Sequence, residues 1–302
     1  MQMYLTRMLL LPAIVVAAGL HGHCAVAATD SAKAPDAEAK MFSMSAGYER
    51  FMGRWSRQMA PAYIAFAGVK QGDRVLDVGT GTGSLASALE ATLSSVELVG
   101  IDPSEGFITY ARKNAKSGRV RFEVGDAQSL PFKDSSFDQT MALLVMNFIP
   151  DHTKAIDEMR RVTRAQGVVS ACVWDYNAGM EMLRFFWDEV VALEPAMAPK
   201  DERNMKLSRQ GQLAELWKKT GFVAVQERPL VIEQAYTSFN DYWEPFLKGA
   251  GPGGAYVVSL TDENRRQLET RIRKRLLGNR EDGSFVLKAQ AWCVRGEVPK
   301  AL

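Results

Sequence analysis

The chain has 302 residues, 47% of them hydrophobic and 24% charged, with a formal net charge of +2. This is ordinary globular composition with material for one large domain, and a charge this small, without a Lys/Arg cluster, argues against a nucleic-acid footprint. Cys24, Cys172 and Cys293 show no CxxC spacing and no disulfide framework, and of the histidines only His152 lies outside the leader-like start, so metal chemistry is poorly supplied.

At the start, Arg7 precedes the uncharged apolar run Met8–Leu20 and the small residues Ala25-Val26-Ala27. Residues 1–27 thus have the form of a secretory signal peptide, too short for a stable membrane span. Residues 28–44, small, polar and alternately charged, read as a disordered linker. Order is expected from residue 45 onward, where Phe51, Trp55, Met59, Tyr63 and Phe66 recur at helical spacing. One or two helices are expected there, broken near Pro61.

From Asp73 strands and helices alternate. "RVLDVG", "VELVGID", "VRFEVGD", "FDQTMALLVMN" and "GVVSACVWDY" read as strands; "SLASALEATL", "SEGFITYARKNA" and "HTKAIDEMRRVTRA" read as helices, with Ser104 as an N-cap. Such alternation implies βαβ units and a mainly parallel sheet. Beyond Tyr176 come an aromatic-rich helix, the strand "VAVQERPLVIEQ" and the final strand "GSFVLKAQAWCVRG".

The chemistry starts at "LDVGTGTG". Asp77 is followed by glycine at every second position, Gly79, Gly81 and Gly83. Glycines let a ligand lie against bare backbone, and the following helix offers free N–H groups. A dinucleotide reader wants G-x-G-x-x-G; here the third glycine comes one position early. The Asp77 carboxylate would repel a pyrophosphate but attract an ammonium. Asp102, after the second strand, suits the two hydroxyls of a ribose, and Asp126, after the third, an adenine amino group. Three acids at the ends of adjacent parallel strands fall in the crevice where open α/β sheets bind ligands.

These stretches, with "VGIDPSEGFITYAR", "VRFEVGDAQSLPF" and "FDQTMALLVMNFIPD", resemble the successive motifs of class I S-adenosylmethionine-dependent methyltransferases. The group with the ubiquinone and menaquinone C-methyltransferases is the nearest in flavour. The resemblance covers roughly residues 48–176. It implies a Rossmann-like, seven-stranded, mostly parallel sheet with an antiparallel last strand and helices on both faces. It also implies S-adenosylmethionine as cofactor. Asp77 and the loop Gly79, Thr80, Gly81, Thr82, Gly83 would hold its methionine part, Asp102 with Pro103 its ribose, and Asp126 with Ala127 its adenine. Leu143 and Leu144 would pack near the sulfonium and adenosine. Thr80 departs from a cysteine frequent there, and Asn147 stands where relatives often have histidine, which excludes a histidine base at that position. Tyr48, Arg54 and Trp55 are candidates to close over the cofactor. Insertions at about 177–205 and 234–283 would form a lid, and Phe185, Phe186, Trp187, Tyr242, Trp243 and Phe246 would either line an apolar pocket or fill the lid's core.

Asp151 and His152 are the candidates for a catalytic base, against a helix cap and a surface residue. "LLVMNFIP" lacks the tetrapeptide of DNA amino-methyltransferases, and no glutamate lies between Asp138 and Pro150 as in protein arginine methyltransferases. The expected partner is a small, possibly lipophilic or aromatic, acceptor, with neither nucleic acid nor membrane span. An NAD-dependent oxidoreductase and a non-catalytic binding protein are the alternatives. Because S-adenosylmethionine is made in the cytosol, the working protein is expected to be cytoplasmic and to start near Met41 or Met44, in conflict with the leader, which would make it periplasmic or secreted.

Overall fold

A computed structural model describes residues 47–300. The expected leader, the linker and the candidate starts Met41 and Met44 lie outside the described residues.

A single π-helical turn, Glu49–Gly53, leads directly into helix α1 (Arg54–Ala67). The expected break at Pro61 does not occur: the proline sits inside α1 on its exposed side. It forfeits one backbone hydrogen bond, while Trp55, Met59 and Tyr63, none of them accessible to solvent, hold the helix against the sheet. There follow β1 (Arg74–Val78), α2 (Ser84–Thr92), β2 (Glu97–Asp102), α3 (Glu105–Asn114), β3 (Val120–Val124), β4 (Phe137–Leu143), α4 (His152–Val162) and β5 (Thr163–Trp174). α5 (Glu181–Leu193), α6 (Gln212–Lys219) and β6 (Val223–Tyr236) come next. After β6 three helices, α7 (Phe239–Leu247), α8 (Gly251–Ser259) and α9 (Asp262–Leu277), precede the last strand β7 (Phe285–Glu297).

The strands form one seven-stranded sheet in the order β3-β2-β1-β4-β5-β7-β6. β1 to β5 pair in parallel and β7 runs antiparallel to both of its neighbours. This is the Rossmann-like arrangement expected from the sequence, with β7 as the antiparallel strand. The chain winds outward from β1 to β3 and then returns to place β4 on the other side of β1. A crevice therefore opens beyond the carboxyl ends of β1 and β4, where the winding reverses.

The long-range pairing of β7 corrects one expectation. Cys172 and Cys293, 121 positions apart, are register partners on β5 and β7 and are joined as a disulfide. No cysteine spacing announces this, because the sheet alone brings them together.

The aromatic residues of the 177–205 and 234–283 stretches pack on one another. Phe186 stacks on Phe246 with centroids 4.5 Å apart, and Trp187, Tyr242 and Trp243 are buried with them. They fill a core between α5, α7 and α8. Phe185, half-buried, lies under the Arg275 guanidinium instead.

One buried polar contact fastens α1 to the sheet. The Tyr63 hydroxyl lies 2.9 Å from Ser170 Oγ and accepts the Ala142 N–H at 3.2 Å. Tyr63→Phe leaves that N–H unpaired and is expected to cost ~1–3 kcal/mol, read as a lower urea midpoint at unchanged slope. Among the described residues no helix is long and apolar enough to cross a membrane.

Candidate functional site

β1 ends in the crevice, and its fully buried run delivers Asp77 there. Gly79, Gly81 and Gly83 all take positive φ (70°, 55° and 90°), which lets the chain turn sharply into α2. The turn is tied to β2: the N–H groups of Gly79 and Thr80 both donate to the Ile101 carbonyl, at 2.8 and 3.0 Å. The Thr80 hydroxyl donates to Asp77 Oδ2 at 2.7 Å, whereas Asp77 Oδ1 is buried with no partner. Burial pushes the Asp77 carboxyl up to about 7; the Thr80 hydrogen bond opposes this and the charge of Asp102 adds to it.

Asp102, the last residue of β2, is also buried. Its Oδ2 accepts the Gly81 N–H at 3.0 Å and its Oδ1 the Ser104 N–H at 2.9 Å. Burial raises its pKa and these two bonds oppose the rise. Asp126, past β3, is exposed; the Gln128 N–H and side chain, bonded to it, hold its pKa below the usual carboxylate range.

Two cavities meet at Gly79. The smaller, about 30 Å³, is mainly polar and is walled by Tyr48, Ser56, Asp77, the loop from Gly79 to Thr82, and Leu143. The larger, about 140 Å³, is almost wholly apolar: Ile101, Pro103, Ala127, Val145, Phe148 and Ile149 line it, with Asp126 at its edge. Together they make an elongated site, polar at the Asp77 end and apolar at the Asp126 end, with Asp102 bonded to the loop between them. A wider cleft of about 420 Å³ lies elsewhere, at the amino ends of the strands between Arg74, Glu97, Arg119 and Phe132. None of the acids or glycines just described lines it.

The structure thus gathers Tyr48, Asp77, Gly79, Thr80, Gly81, Thr82 and Leu143 around one cavity and Pro103, Asp126 and Ala127 around the other. It does not bring Arg54 there. That guanidinium bonds Asp241 at 3.0 Å and the Ala235 carbonyl at 2.8 Å and lies 4.4 Å over the Tyr236 ring, pinning α1 to β6 and α7. Trp55 is sealed in the core between Trp174 and Tyr236. Gly83 closes the loop through its N–H to the Thr80 carbonyl, and Leu144, at φ 63°, lies outside both cavity walls and donates its N–H to the Cys172 carbonyl. Asp151 caps α4 by accepting the Lys154 N–H at 3.0 Å. His152 Nε2 is buried without a partner, and burial with the nearby Lys206 charge lowers its pKa.

Residues that the sequence reasoning missed include Ser56, Val145, Phe148 and Ile149. The apolar "VMNFIP" at the end of the fourth strand is the signal for the last three, none marks Ser56, and Phe148, at 56% exposure, is a large apolar side chain left open to solvent. Glu49 also went unseen: it accepts the Thr82 hydroxyl and pairs with Arg57, so the π-helical turn rests on the glycine loop.

Residues 76–171 match the family described as "Methyltransferase domain". An uncharacterized protein of Mycobacterium tuberculosis (strain H37Rv) is 32% identical over 116 residues, 38% of this chain and 42% of its own length. The chain therefore spans less than half of that relative. A demethylmenaquinone methyltransferase of Geobacillus kaustophilus is 29% identical over 177 residues, 53% of this chain and 75% of its own. Among solved structures, phosphoethanolamine N-methyltransferase 2 of Haemonchus contortus in complex with S-adenosyl-L-methionine is similar in fold, with a TM-score of 0.54 at 18% identity over 85% of this chain and 57% of that one.

Proposed function

Since this chain carries a class I S-adenosylmethionine-dependent methyltransferase domain, near the menaquinone group, we propose that it transfers a methyl group from S-adenosylmethionine to a small-molecule acceptor of lipophilic or aromatic character. The observation that carries the donor assignment is the unpartnered, buried Asp77 Oδ1 at the polar end of the site. A buried carboxylate oxygen left without a donor costs free energy unless a ligand supplies one, and the ammonium of an amino acid would. The chemistry of the two cavity ends suits that cofactor, and Asp102, which lines neither cavity, holds the loop between them. Asp77 and the glycine loop would hold the amino-acid portion, Asp102 would face the ribose hydroxyls, and the apolar cavity beside Asp126 and Ala127 would take the adenine.

When bound, the sulfonium supplies an electrophilic methyl carbon. The chain's own contribution is then mainly to hold donor and acceptor in line and keep water out, an alignment worth roughly 7–11 kcal/mol in favourable cases. Titration calorimetry with S-adenosylmethionine and, separately, NADH checks the reading. Saturable binding of the sulfonium and none of NADH is expected, along with transfer of labelled methyl into a metabolite extract. NADH binding without a response to the sulfonium would favour an oxidoreductase. Tight sulfonium binding with a silent extract would favour a non-catalytic role.

A further inference from the structure

The cleft of about 420 Å³ at the amino ends of the strands exists because an expected element is missing there. A parallel crossover ordinarily carries a helix, yet β3 and β4 are joined by the loop 125–136, which forms none. Arg74 and Glu97 are register partners, as are Val99 and Arg121. Side chains alternate along a strand, so these four share one face of the sheet. Phe122, next to Arg121, faces the other way and packs beside Gly83 at the start of α2. The loop is fixed as the far wall of the cleft. Arg161 of α4 donates to the carbonyls of Leu130 and Phe132 at 3.0 and 2.7 Å, and Glu158 accepts the Leu130 N–H at 2.8 Å. The floor is the buried start of β2, Leu98 and Val99.

Charge, more than shape, marks this cleft. Three arginines and a lysine line it (Arg74, Arg119, Arg121 and Lys133), against one carboxylate, Glu97. Among the described residues the side chains of Arg119, Arg121 and Lys133 take part in no hydrogen bond or ion pair, and the Arg74 guanidinium lies 5.9 Å from the Phe137 ring centroid. The acids beside them in sequence are engaged elsewhere. Asp134 pairs with Arg161 at 2.8 Å. Asp138 pairs with Arg164 at 2.6 Å, accepts the Arg74 backbone N–H and also feels the Arg74 charge. The cations thus converge on a preformed concavity without being neutralised, and a cleft lined by one sign of charge concentrates counter-ions of the other.

We propose that this cleft is a binding site for a small molecule carrying a diphosphate. Its volume is within the range of small-molecule sites. Guanidinium forks bind phosphate oxygens in pairs, and an excess of three positive charges over the lining carboxylate matches two linked phosphates better than one. Arg74 and Asp77 stand near opposite ends of β1, as Glu97 and Asp102 do on β2. The ligand is therefore neither methyl donor nor acceptor, and the inference does not rest on the methyltransferase reading.

Titration calorimetry with pyrophosphate, at low salt and without divalent cations, tests the site; isopentenyl diphosphate is the esterified probe, and the tighter of the two identifies the source of the diphosphate. Saturable binding of either is expected, weakening as salt rises from ~0.05 to ~0.2 M and unaffected by excess S-adenosylmethionine. Orthophosphate and sulfate should bind at least ~10-fold more weakly. Arg119→Gln with Arg121→Gln should weaken diphosphate binding ~10-fold or more and leave S-adenosylmethionine affinity unchanged. Glu97→Gln, which removes the opposing charge, should tighten it by ~2–10-fold, a gain that a merely structural role would not produce. If the double variant does not fold, the exposed loop variant Lys133→Gln replaces it, with an expected loss of ~3–10-fold. No saturable binding at ~1 mM probe, orthophosphate as tight as pyrophosphate, or undiminished binding by the arginine or lysine variant overturns the proposal. Displacement by S-adenosylmethionine would put the anion on the glycine loop and also overturn it. A single-stranded oligonucleotide held more tightly than pyrophosphate through the same arginines would make this a nucleic-acid surface instead. Failure to bind S-adenosylmethionine would sink the donor reading alone, because the variants still decide the cleft.

Discussion

Asp77→Ala is expected to abolish S-adenosylmethionine binding while leaving the fold intact. The carboxylate is fully buried, holds one fixed donor in Thr80 and keeps the other oxygen empty. A ligand ammonium paired there would make a desolvated, charge-assisted contact, and removing one partner of such a pair costs ~2–5 kcal/mol, which is ~30- to several-thousand-fold in affinity. Without the donor, the same carboxylate is a liability. Its pKa in the folded chain, about 7, lies above the ordinary value of 3.8. Its stabilising contribution is therefore complete below about pH 4 and lost as pH rises through 7. The isosteric Asp77→Asn should accordingly be more stable than wild type at pH 8 by on the order of a few kcal/mol, with the gap closing toward pH 4. Calorimetry reads the first effect and denaturant melts at the two pH values the second. Normal donor binding by Asp77→Ala would sink the assignment of the loop; a pH-independent gap would sink the account of Asp77's burial.

The donor half of this site was legible because its determinants are local. Each acid lies within two residues of a strand's carboxyl end, each glycine meets a backbone demand within the same turn, and strands buried on both faces read as unbroken apolar runs. What escaped is set by tertiary packing. The Cys172–Cys293 bridge exists because β7 threads back between β5 and β6. Arg54 carries a charge near the cavity in sequence terms, yet Asp241, 187 positions on, captures it. α1 passes through Pro61 because the aromatic face beneath it outweighs one lost hydrogen bond. Phe148 and Ile149 lie just past the run expected as the fourth strand, and the turn after β4 makes them walls of the apolar cavity.

Gly79→Ala is the second substitution with a large expected effect, because both cavities meet at this residue. Two demands fall on it at once. Its φ of 70° is a left-handed conformation that a side chain disfavours by roughly 1–2 kcal/mol. A Cβ there would also lie 2.4–2.8 Å from the Val145 side chain, inside contact distance. Val145 must then move, and since it lines the apolar cavity, its displacement narrows the space assigned to the adenine. Stability should fall by ~1–3 kcal/mol and S-adenosylmethionine affinity by at least ~10-fold. The two causes separate in a double variant. Val145→Ala added to Gly79→Ala removes the branched methyls that clash but not the backbone strain, so it should recover much of the lost affinity and little of the lost stability. If Gly79→Ala binds the donor as wild type does, the ligand does not cross this turn; if Val145→Ala gives no recovery, the clash is not what closes the site.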